Sequence, residues 1–251
     1  MIQGIATFTE YFKDNNEDYV VIGGLATAMV MNDLGFIARA TKDIDLVVIT
    51  KENEVFLKKL LSFIEIAGYK TKQRTNNDSR HNLFRFLDSE DKSYPEQIEL
   101  FAIHNSDFEI LKDSHIIPIE TPEYYTYLSA ILLDTDYFNL LLQHTNHIDG
   151  LHVATPEALI PLKIHAYLNL SLDKNPDAKK HFNDIIRLAP LLDDQSTVIL
   201  VGKPKEDFIR FLPMLEKSED STVDNVLKAA KEQKVSKESI LILLNAVYLS
   251  D

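Results

Sequence analysis

Residues 19–49, YVVIGGLATAMVMNDLGFIARATKDIDLVVI, contain the features that decide the fold of this chain. Tyr19 to Ile22 is a short, mostly β-branched run typical of a buried strand, and Leu25 to Asn32 brings apolar residues at helical spacing. Between them, Gly23-Gly24 predicts a tight strand-to-helix turn, because glycine accepts backbone conformations that other residues avoid. The unpaired N–H groups at the positive end of the following helix would suit a phosphate.

A second strand in the same stretch carries two acids. Asp43 to Ile49 (DIDLVVI) alternates at its start and then becomes continuously apolar, as a central strand does. Residues two apart on a strand lie on one face, so Asp43 and Asp45 would point the same way, roughly 6–7 Å apart along the backbone. Two like charges at that distance repel each other unless a cation lies between them. Hard divalent ions prefer carboxylate oxygens and often keep phosphates as further ligands, so the pattern predicts magnesium bound together with a nucleotide.

A third acid lies in a later strand. Gln97 to Ile103 (QIELFAI) predicts a strand in which Glu99 stands between two apolar residues. An acid in such a strand reaches solvent, pairs with a base or joins a metal cluster, because burying it unpaired is costly. If this strand lies beside the Asp43–Ile49 strand, Glu99 completes a three-carboxylate magnesium site with Asp43 and Asp45.

The remaining patterns predict an α+β fold. Further strands are predicted at 69–74, 82–87 and 114–120, and helices at 2–12, 52–67 with Gly68 as the stop, 133–143, 156–170 with Thr155 as N-cap, 177–188, 206–217, 222–233 and 237–249. Strand-type alternation gives way to helix-type spacing near Thr121. We therefore predict a mixed-sheet α/β domain over residues 1–120 and a mainly helical domain over residues 121–251.

Composition narrows the class of protein. The chain has 251 residues and 26 basic against 39 acidic side chains, a net charge of −13 that works against non-specific wrapping of nucleic acid. It has no cysteine, which excludes disulfides, zinc–thiolate sites and cysteine nucleophiles. No apolar run approaches a membrane span and no secretory signal is visible, so we expect a cytoplasmic protein without a membrane partner.

Several basic residues are predicted to lie at the surface, and two histidines are predicted to have no role as metal ligands. Two groups are expected to be solvated: Lys70, Lys72, Arg74 and Arg80, and then Lys163, Lys179, Lys180 and Arg187. Within the second group, Lys163 sits in an apolar helix, where a lysine either reaches solvent or meets a ligand. His165 and His181 are isolated on helices, and we predict no metal site for them.

The motifs together resemble a known superfamily. Gly23-Gly24, the spaced run Arg39-x-Thr41-x-Asp43-Ile44-Asp45 and Glu99 resemble the nucleotidyltransferase signature. The later segments TPEALIPLK (155–163) and KKHFNDI (179–185) are similar to the AbiEii branch, the nucleotidyltransferase-like toxins of abortive-infection toxin–antitoxin systems. The resemblance covers about residues 19–188 and implies a nucleotidyltransferase-like N-terminal domain.

The resemblance implies a role for each matching residue. Gly23 and Gly24 would cradle the triphosphate, and Asp43 and Asp45 would bind magnesium. Glu99 would be the third ligand or the base for the incoming hydroxyl. The nucleotide site would also include Arg39, Thr41 and Asp184, and Lys163 would lie near the phosphates. We expect loss of Lys163 to weaken turnover or nucleotide binding with little effect on stability. Two departures stand out: position 24 is glycine where many relatives have serine, and Asn169-Leu170 stands where relatives often place an arginine.

Three functions stay open at this point. The first is transfer of a nucleoside monophosphate from a nucleoside triphosphate to an acceptor hydroxyl on RNA, such as tRNA, or on protein, in a toxin that has a cognate antitoxin. The second is a nucleotide-binding module without turnover that acts through a protein partner. The third is a small-molecule nucleotidyltransferase of the antibiotic-modifying kind, which the acidic surface permits because such acceptors are often cationic.

Overall fold

The computed structural model describes residues 3–49, 54–71, 85–103, 116–118, 129–231 and 235–249. Its helices are α1 (Ile5–Phe12), α2 (Gly23–Asp33), α3 (Glu54–Ile66), α4 (Thr135–Gln143), α5 (Pro156–Leu172), α6 (Ala178–Leu188), α7 (Gly202–Lys217), α8 (Asp220–Ala229) and α9 (Lys237–Tyr248). Its strands are β1 (Tyr19–Ile22), β2 (Asp43–Val48), β3 (Lys70–Thr71), β4 (Arg85–Leu87), β5 (Gln97–Ile103), β6 (Ile116–Pro118), β7 (Ser129–Leu133), β8 (Thr145–Ile148) and β9 (Leu151–Ala154). None of the helices in these ranges has the length and apolar character needed to cross a lipid bilayer.

The strands form one mixed sheet in the order β3-β4-β5-β2-β1-β9-β8. Strand β2 runs antiparallel to β1 and parallel to β5, which brings the strands predicted to carry the acids side by side. Two further strands pair with β5 besides β2: β4 pairs with its first residues and β7 with its last residues. Together with the helices, this mixed sheet confirms the α+β class predicted from the sequence.

Aromatic side chains fill the core against which β1 is held. Phe8 and Phe12 of α1 contact Tyr19 at the start of β1, with ring centroids 5.6 and 6.2 Å from the tyrosine ring. Phe56 and Phe63 of α3 complete the group, and these five aromatic side chains are all almost fully buried. Burying an aromatic side chain contributes on the order of 1.5–3 kcal/mol, so this group anchors β1 and the turn that follows it.

The chain divides into two compact units. The sheet unit comprises Met1–Leu25, Ala40–Thr135 and His147–Val153, and the helical unit comprises Ala26–Arg39, Asp136–Asn146 and Ala154–Asp251. Each unit is therefore assembled from separate stretches of the chain. Thr121, where the sequence predicts a boundary, lies outside the described residues, and the division into residues 1–120 and 121–251 stays a prediction.

Several local predictions need correction. The sequence analysis missed β7 and the β8–β9 hairpin, because short apolar runs such as SAILL and LHVA have no periodicity that separates strand from helix. Leu133 belongs to β7, so the helix predicted at 133–143 begins at Thr135. Helix α2 begins at Gly23 itself, so no separate turn stands between β1 and the helix. Thr155 occupies the N-cap position of α5, but its side chain makes no capping hydrogen bond.

Candidate functional site

Three acids lie on one face of the sheet at the β2–β5 pair. In the parallel register of these strands, Asp45 stands opposite Glu99 and Asp43 stands opposite Gln97. Register partners on neighbouring strands point to the same side, and residues two apart on one strand do so as well, so Asp43, Asp45 and Glu99 share a face. All three side chains are partly exposed. We call these three residues the carboxylate face; their role as metal ligands stays a prediction.

The first residue of α2, Gly23, lies directly against this face. Gly23 has a φ of +71°, and a β-carbon added to it would lie 1.8 Å from Oδ2 of Asp45. The antiparallel register explains the approach, because Ile22 and Asp45 are partners and Gly23 is the next residue along the chain. The Asp45 carboxylate therefore lies at the first residue of α2, the positive end of a helix, where a negative charge is favoured. A phosphate held by this helix terminus would lie next to the predicted magnesium ligands.

Glu99 has partners that the sequence analysis did not identify. Nη2 of Arg85 donates to Oε2 of Glu99 at 3.0 Å, and Nε of Arg85 lies 2.8 Å from Oε1. The side-chain amide of Gln97 donates to Oε1 at 2.5 Å. Arg85 offsets the charge of Glu99, but each carboxylate oxygen has two lone pairs, so a metal ligand role remains chemically available. Glu99 thus has the base partner that the sequence left as one alternative, and its role as a metal ligand stays a prediction.

In the helical unit, the acid expected from the resemblance is the centre of a buried charge cluster. Asp184 is fully buried, and three cations contact it: Nζ of Lys163 lies 3.0 Å from Oδ2, Nη2 of Arg39 lies 3.1 Å from the same oxygen, and Nη1 of Arg187 lies 3.1 Å from Oδ1. Nε of Arg39 also donates to Oδ1 at 3.1 Å. We call these four residues the Asp184 cluster. One carboxylate among three cations leaves a net charge of +2, which suits a site for an anion such as a phosphate.

The cluster sets the protonation of the groups around it. Burial alone would raise the pKa of Asp184, but the charges of Lys163 and Arg39 and their hydrogen bonds outweigh burial and hold that pKa below its usual range. Burial, together with the positive charges of Lys163 and Lys180, lowers the pKa of His181 to about 4. His181 is therefore neutral near pH 7. In the described part of the chain, its buried Nδ1 and the buried Oδ1 of Asn183 have no hydrogen-bond partner.

One expectation from the sequence is wrong here. Lys163 and Arg187 were expected on a solvated face, yet Lys163 is only 4% exposed and the Arg187 side chain 14%. The ammonium of Lys163 does not reach solvent, because it pairs with the buried carboxylate of Asp184. Removing a partner from a buried ion pair is strongly destabilising, so the small stability effect expected for loss of Lys163 does not fit this geometry. The other predicted basic group lies mostly outside the described residues, which include only Lys70 of its four members.

His165 and Asn169 on α5 contact each other. His165 lies 2.7 Å from Oδ2 of Asp207 through Nδ1, and its Nε2 lies 2.9 Å from Nδ2 of Asn169. Asn169 stands where relatives often have an arginine, and here it supports His165. His165 thus has hydrogen-bond partners that explain its place on the helix without a metal ion.

The predicted site residues fall into two groups. Gly23, Gly24, Thr41 and the carboxylate face belong to the sheet unit, whereas Arg39, Lys163 and Asp184 belong to the helical unit. Within each unit, the structure brings residues distant in sequence into contact. That a nucleotide bridges the two groups stays a prediction. Arg85, Gln97 and Arg187 are the site neighbours that the sequence analysis missed, because their importance depends on strand register and helix packing.

The structure is similar to several solved structures at low sequence identity. An antigenic nucleotidyltransferase-like protein from Paracoccidioides brasiliensis aligns over 91% of this chain and 94% of its own, with 16% identity and a TM-score of 0.43. The antibiotic-resistance factor ANT(2'')-Ia in solution aligns over 84% and 91%, with 15% identity and a TM-score of 0.41. The polyadenylate synthase of Megavirus aligns over 85% and 36%, with 11% identity and a TM-score of 0.39.

No protein-family model matches the sequence, and no curated protein matches it either. One of the three solved structures is named as a nucleotidyltransferase-like protein, and none of the three names refers to an AbiEii protein. With TM-scores below 0.5, these likenesses carry no argument about activity. The function proposed next therefore depends on the residues of this chain.

Proposed function

We propose that the chain is a magnesium-dependent nucleotidyltransferase that moves a nucleoside monophosphate from a nucleoside triphosphate to an acceptor hydroxyl. The observation that carries this proposal is the contact of Gly23, at the start of α2, with the carboxylate of Asp45 on a face shared with Asp43 and Glu99. A phosphate site at a helix terminus beside several carboxylates supplies the two parts that metal-assisted transfer from a triphosphate needs. The sequence resemblance to the nucleotidyltransferase superfamily supports the same reaction.

The donor set of the carboxylate face fits magnesium. Asp43, Asp45 and Glu99 offer oxygen ligands, which a hard divalent ion prefers, and partial exposure leaves room for water and phosphate ligands. A magnesium ion bound there would neutralise phosphate charge and help the pyrophosphate to leave. The acceptor oxygen would form a bond to the α-phosphorus as the bond to pyrophosphate breaks, and Glu99 would be placed to accept the hydroxyl proton.

The Asp184 cluster adds a second source of positive charge. Its net charge of +2 suits the binding of a polyanion. We propose that Arg39 and Lys163 contribute to the binding of the triphosphate, with Asp184 holding both cations in place. Thr41, two residues before Asp43, is proposed as a further contact to the nucleotide.

We propose RNA, such as tRNA, or a protein as the acceptor, and a toxin role with a cognate antitoxin as partner. The similarity of residues 155–163 and 179–185 to the AbiEii branch supports this role. Regulated expression of the chain in bacteria should slow growth, and the Asp43→Asn/Asp45→Asn variant should not. Equal growth of the two strains at equal protein levels would contradict a toxin role based on transfer.

The test of the activity itself is labelling. The purified chain is incubated with each radiolabelled nucleoside triphosphate, magnesium and either total RNA or cell lysate, and the labelled product is identified. We expect label in RNA or protein, and loss of at least 99% of it in the Asp43→Asn/Asp45→Asn variant, because two metal ligands are removed. Full transfer by that variant would refute the site. The matched control is Asp14→Asn/Asp33→Asn, which removes the same charge from two exposed positions.

One observation favours a second candidate function, a nucleotide-binding module without turnover that acts through a protein partner. Arg85 and Gln97 contact both oxygens of Glu99, which could leave a bound metal with only Asp43 and Asp45. Magnesium-dependent binding of a nucleoside triphosphate in calorimetry, with no labelled product from RNA, protein or small molecules, would identify this function. Label in a small cationic compound would instead identify the antibiotic-modifying type.

A further inference from the structure

Away from the carboxylate face, the sheet unit brings two histidines and a glutamate together. His147 lies on β8, His152 lies on β9, and Glu17 lies in the 3-10 turn Asn16–Asp18 that leads into β1. One potential ligand atom from each residue lies within 4.8 Å of the others. Nε2 of His147 is 3.2 Å from Oε1 of Glu17. The two imidazole rings are parallel, with their centroids 4.8 Å apart and an angle of 4° between their planes.

The hairpin turn explains why the two rings face each other. Asp149 and Gly150 have φ values of +49° and +79°, as a two-residue turn of type I′ requires, and that turn matches the twist of a hairpin. Closing the hairpin with two residues makes Ile148 and Leu151 partners, so His147 and His152 form the next pair across the strands. Side chains of such a pair contact each other directly. The approach of the rings is therefore built into the backbone.

The turn before β1 orients the inner histidine. His152 is a buried residue with 7% exposure, and its Nδ1 lies 3.2 Å from the carbonyl oxygen of Asn16. A carbonyl oxygen only accepts, so the tautomer that makes this hydrogen bond carries its proton on Nδ1 and its lone pair on Nε2. A histidine that donates one ring N–H to a carbonyl and offers its other nitrogen is the usual arrangement of a metal ligand and its supporting partner. The same turn thus supplies Asn16 as support and Glu17 as a carboxylate.

We propose that Glu17, His147 and His152 bind one divalent transition-metal ion, with zinc as the expected occupant. Two imidazole nitrogens and one carboxylate oxygen are a donor set that zinc and its neighbours in the first row accept, whereas magnesium prefers oxygen alone. The side chains of His147 and Glu17 are 50% and 81% exposed, so an ion reaches them from solvent and keeps water ligands. The ion would tie the turn before β1 to the hairpin that contains β9, the strand beside β1.

The test is a titration of the full chain, first freed of metal with a chelator, with zinc chloride. We expect one zinc ion per chain in calorimetry and a rise in Tm of about 5–10 °C when free zinc exceeds Kd a hundredfold. Glu17→Gln and His147→Gln change exposed side chains, so these variants should fold, and each should weaken zinc binding at least tenfold. The matched control is His144→Gln, which changes a histidine three residues before His147 and outside the cluster, and this variant should bind zinc like the unchanged chain.

Two results would overturn the proposal. The first is the absence of saturable binding of zinc, cobalt or nickel by the unchanged chain. The second is unchanged zinc affinity in both Glu17→Gln and His147→Gln, because the bound ion would then lie elsewhere. The Asp43→Asn/Asp45→Asn variant separates this site from the proposed magnesium site: zinc binding should persist in it, and loss of zinc there alone would assign the ion to the carboxylate face.

Discussion

The carboxylate of Asp45 occupies the space that a side chain at position 23 would need. A β-carbon on Gly23 would lie 1.8 Å from Oδ2 of Asp45 and 2.7 Å from its Cγ, far inside any van der Waals contact. The glycine is therefore required by the acid, and the acid is held against the start of α2 by the glycine. This pair of residues joins the proposed phosphate site to the proposed metal site.

Replacing this glycine should be much more harmful than replacing another glycine with a similar backbone. Gly23→Ala introduces both the collision with Asp45 and a side chain at φ +71°, whereas Gly35→Ala at φ +80° has no atom within 4 Å of the new carbon among those described. We expect a loss of unfolding free energy of about 1–2 kcal/mol for Gly35→Ala, from the left-handed backbone alone, and clearly more for Gly23→Ala. Chemical denaturation of both variants measures the difference.

A double variant separates collision from backbone strain. In Gly23→Ala/Asp45→Ala the colliding carboxylate is gone, so its stability should recover toward that of Gly35→Ala. Equal stability of Gly23→Ala and Gly35→Ala would show that Asp45 does not approach position 23 in solution.

The Asp184 cluster predicts an order of stability losses. Asp184→Ala leaves three cations around a vacated anion position, whereas Lys163→Ala leaves Asp184 with Arg39 and Arg187. We expect both variants to lose on the order of 3–5 kcal/mol of unfolding free energy, with the larger loss for Asp184→Ala. The matched control is Lys180→Ala, whose exposed pair with Asp177 should contribute less than about 1 kcal/mol.

Thermal and denaturant unfolding of these three variants checks the order. A Lys163→Ala variant as stable as the unchanged chain would mean that the ammonium is not buried against Asp184. Nucleotide affinity must be measured under conditions where each variant is folded, because loss of fold would otherwise be taken for loss of a phosphate contact.

The role of Glu99 can be resolved by pairing it with Arg85. If Glu99 serves only as the partner of Arg85, Glu99→Gln should destabilise the chain. The double variant Arg85→Met/Glu99→Met should then restore both stability and nucleotidyl transfer. If Glu99 binds metal or accepts the proton, we expect transfer to fall at least a hundredfold in Glu99→Gln and to stay low in the double variant. Labelling assays and unfolding curves on the same preparations distinguish the two outcomes.

His181 should make the chain less stable in mild acid. Its pKa is about 4 in the folded chain, against about 6.5 when unfolded, so between these values the unfolded chain binds the extra proton and is favoured as pH falls. From pH 7 to pH 4 the unchanged chain should lose about 3 kcal/mol more unfolding free energy than His181→Gln. Burial also lowers the pKa of His152. The unchanged protein and the His181→Gln variant both contain His152, so its effect on stability cancels in the comparison.

Asp184 contributes in a different range. Its lowered pKa stabilises the folded chain above the unfolded value, and that contribution is lost only as pH falls below about 4. A pH profile of unfolding free energy that is the same for His181→Gln and the unchanged chain between pH 4 and 7 would contradict the buried, neutral state of His181.

Much of the local structure follows from the sequence. The alternation in DIDLVV predicts β2 with two acids on one face, and QIELFAI predicts β5 with its true ends. Gly68, with φ +62°, ends α3 as its residue type indicates. These elements are predictable because side-chain periodicity and glycine conformations are local properties, set by residues next to each other in the chain.

The partners of the charged residues were decided by the tertiary structure. Strand register places Glu99 beside Arg85, and helix packing places Asp184 beside Arg39, 145 residues away in sequence. His147 and His152 face each other across a hairpin that the residue pattern did not predict. A charged side chain is compatible with many partners, and its sequence position says nothing about which strand or helix will lie beside it. The sequence by itself therefore determined strands β2 and β5 and the acids that they carry. Only the packing of distant elements decided that Lys163, which was expected at the surface, is buried and paired with Asp184. The pairing follows from burial, because a buried charge without a partner is strongly destabilising.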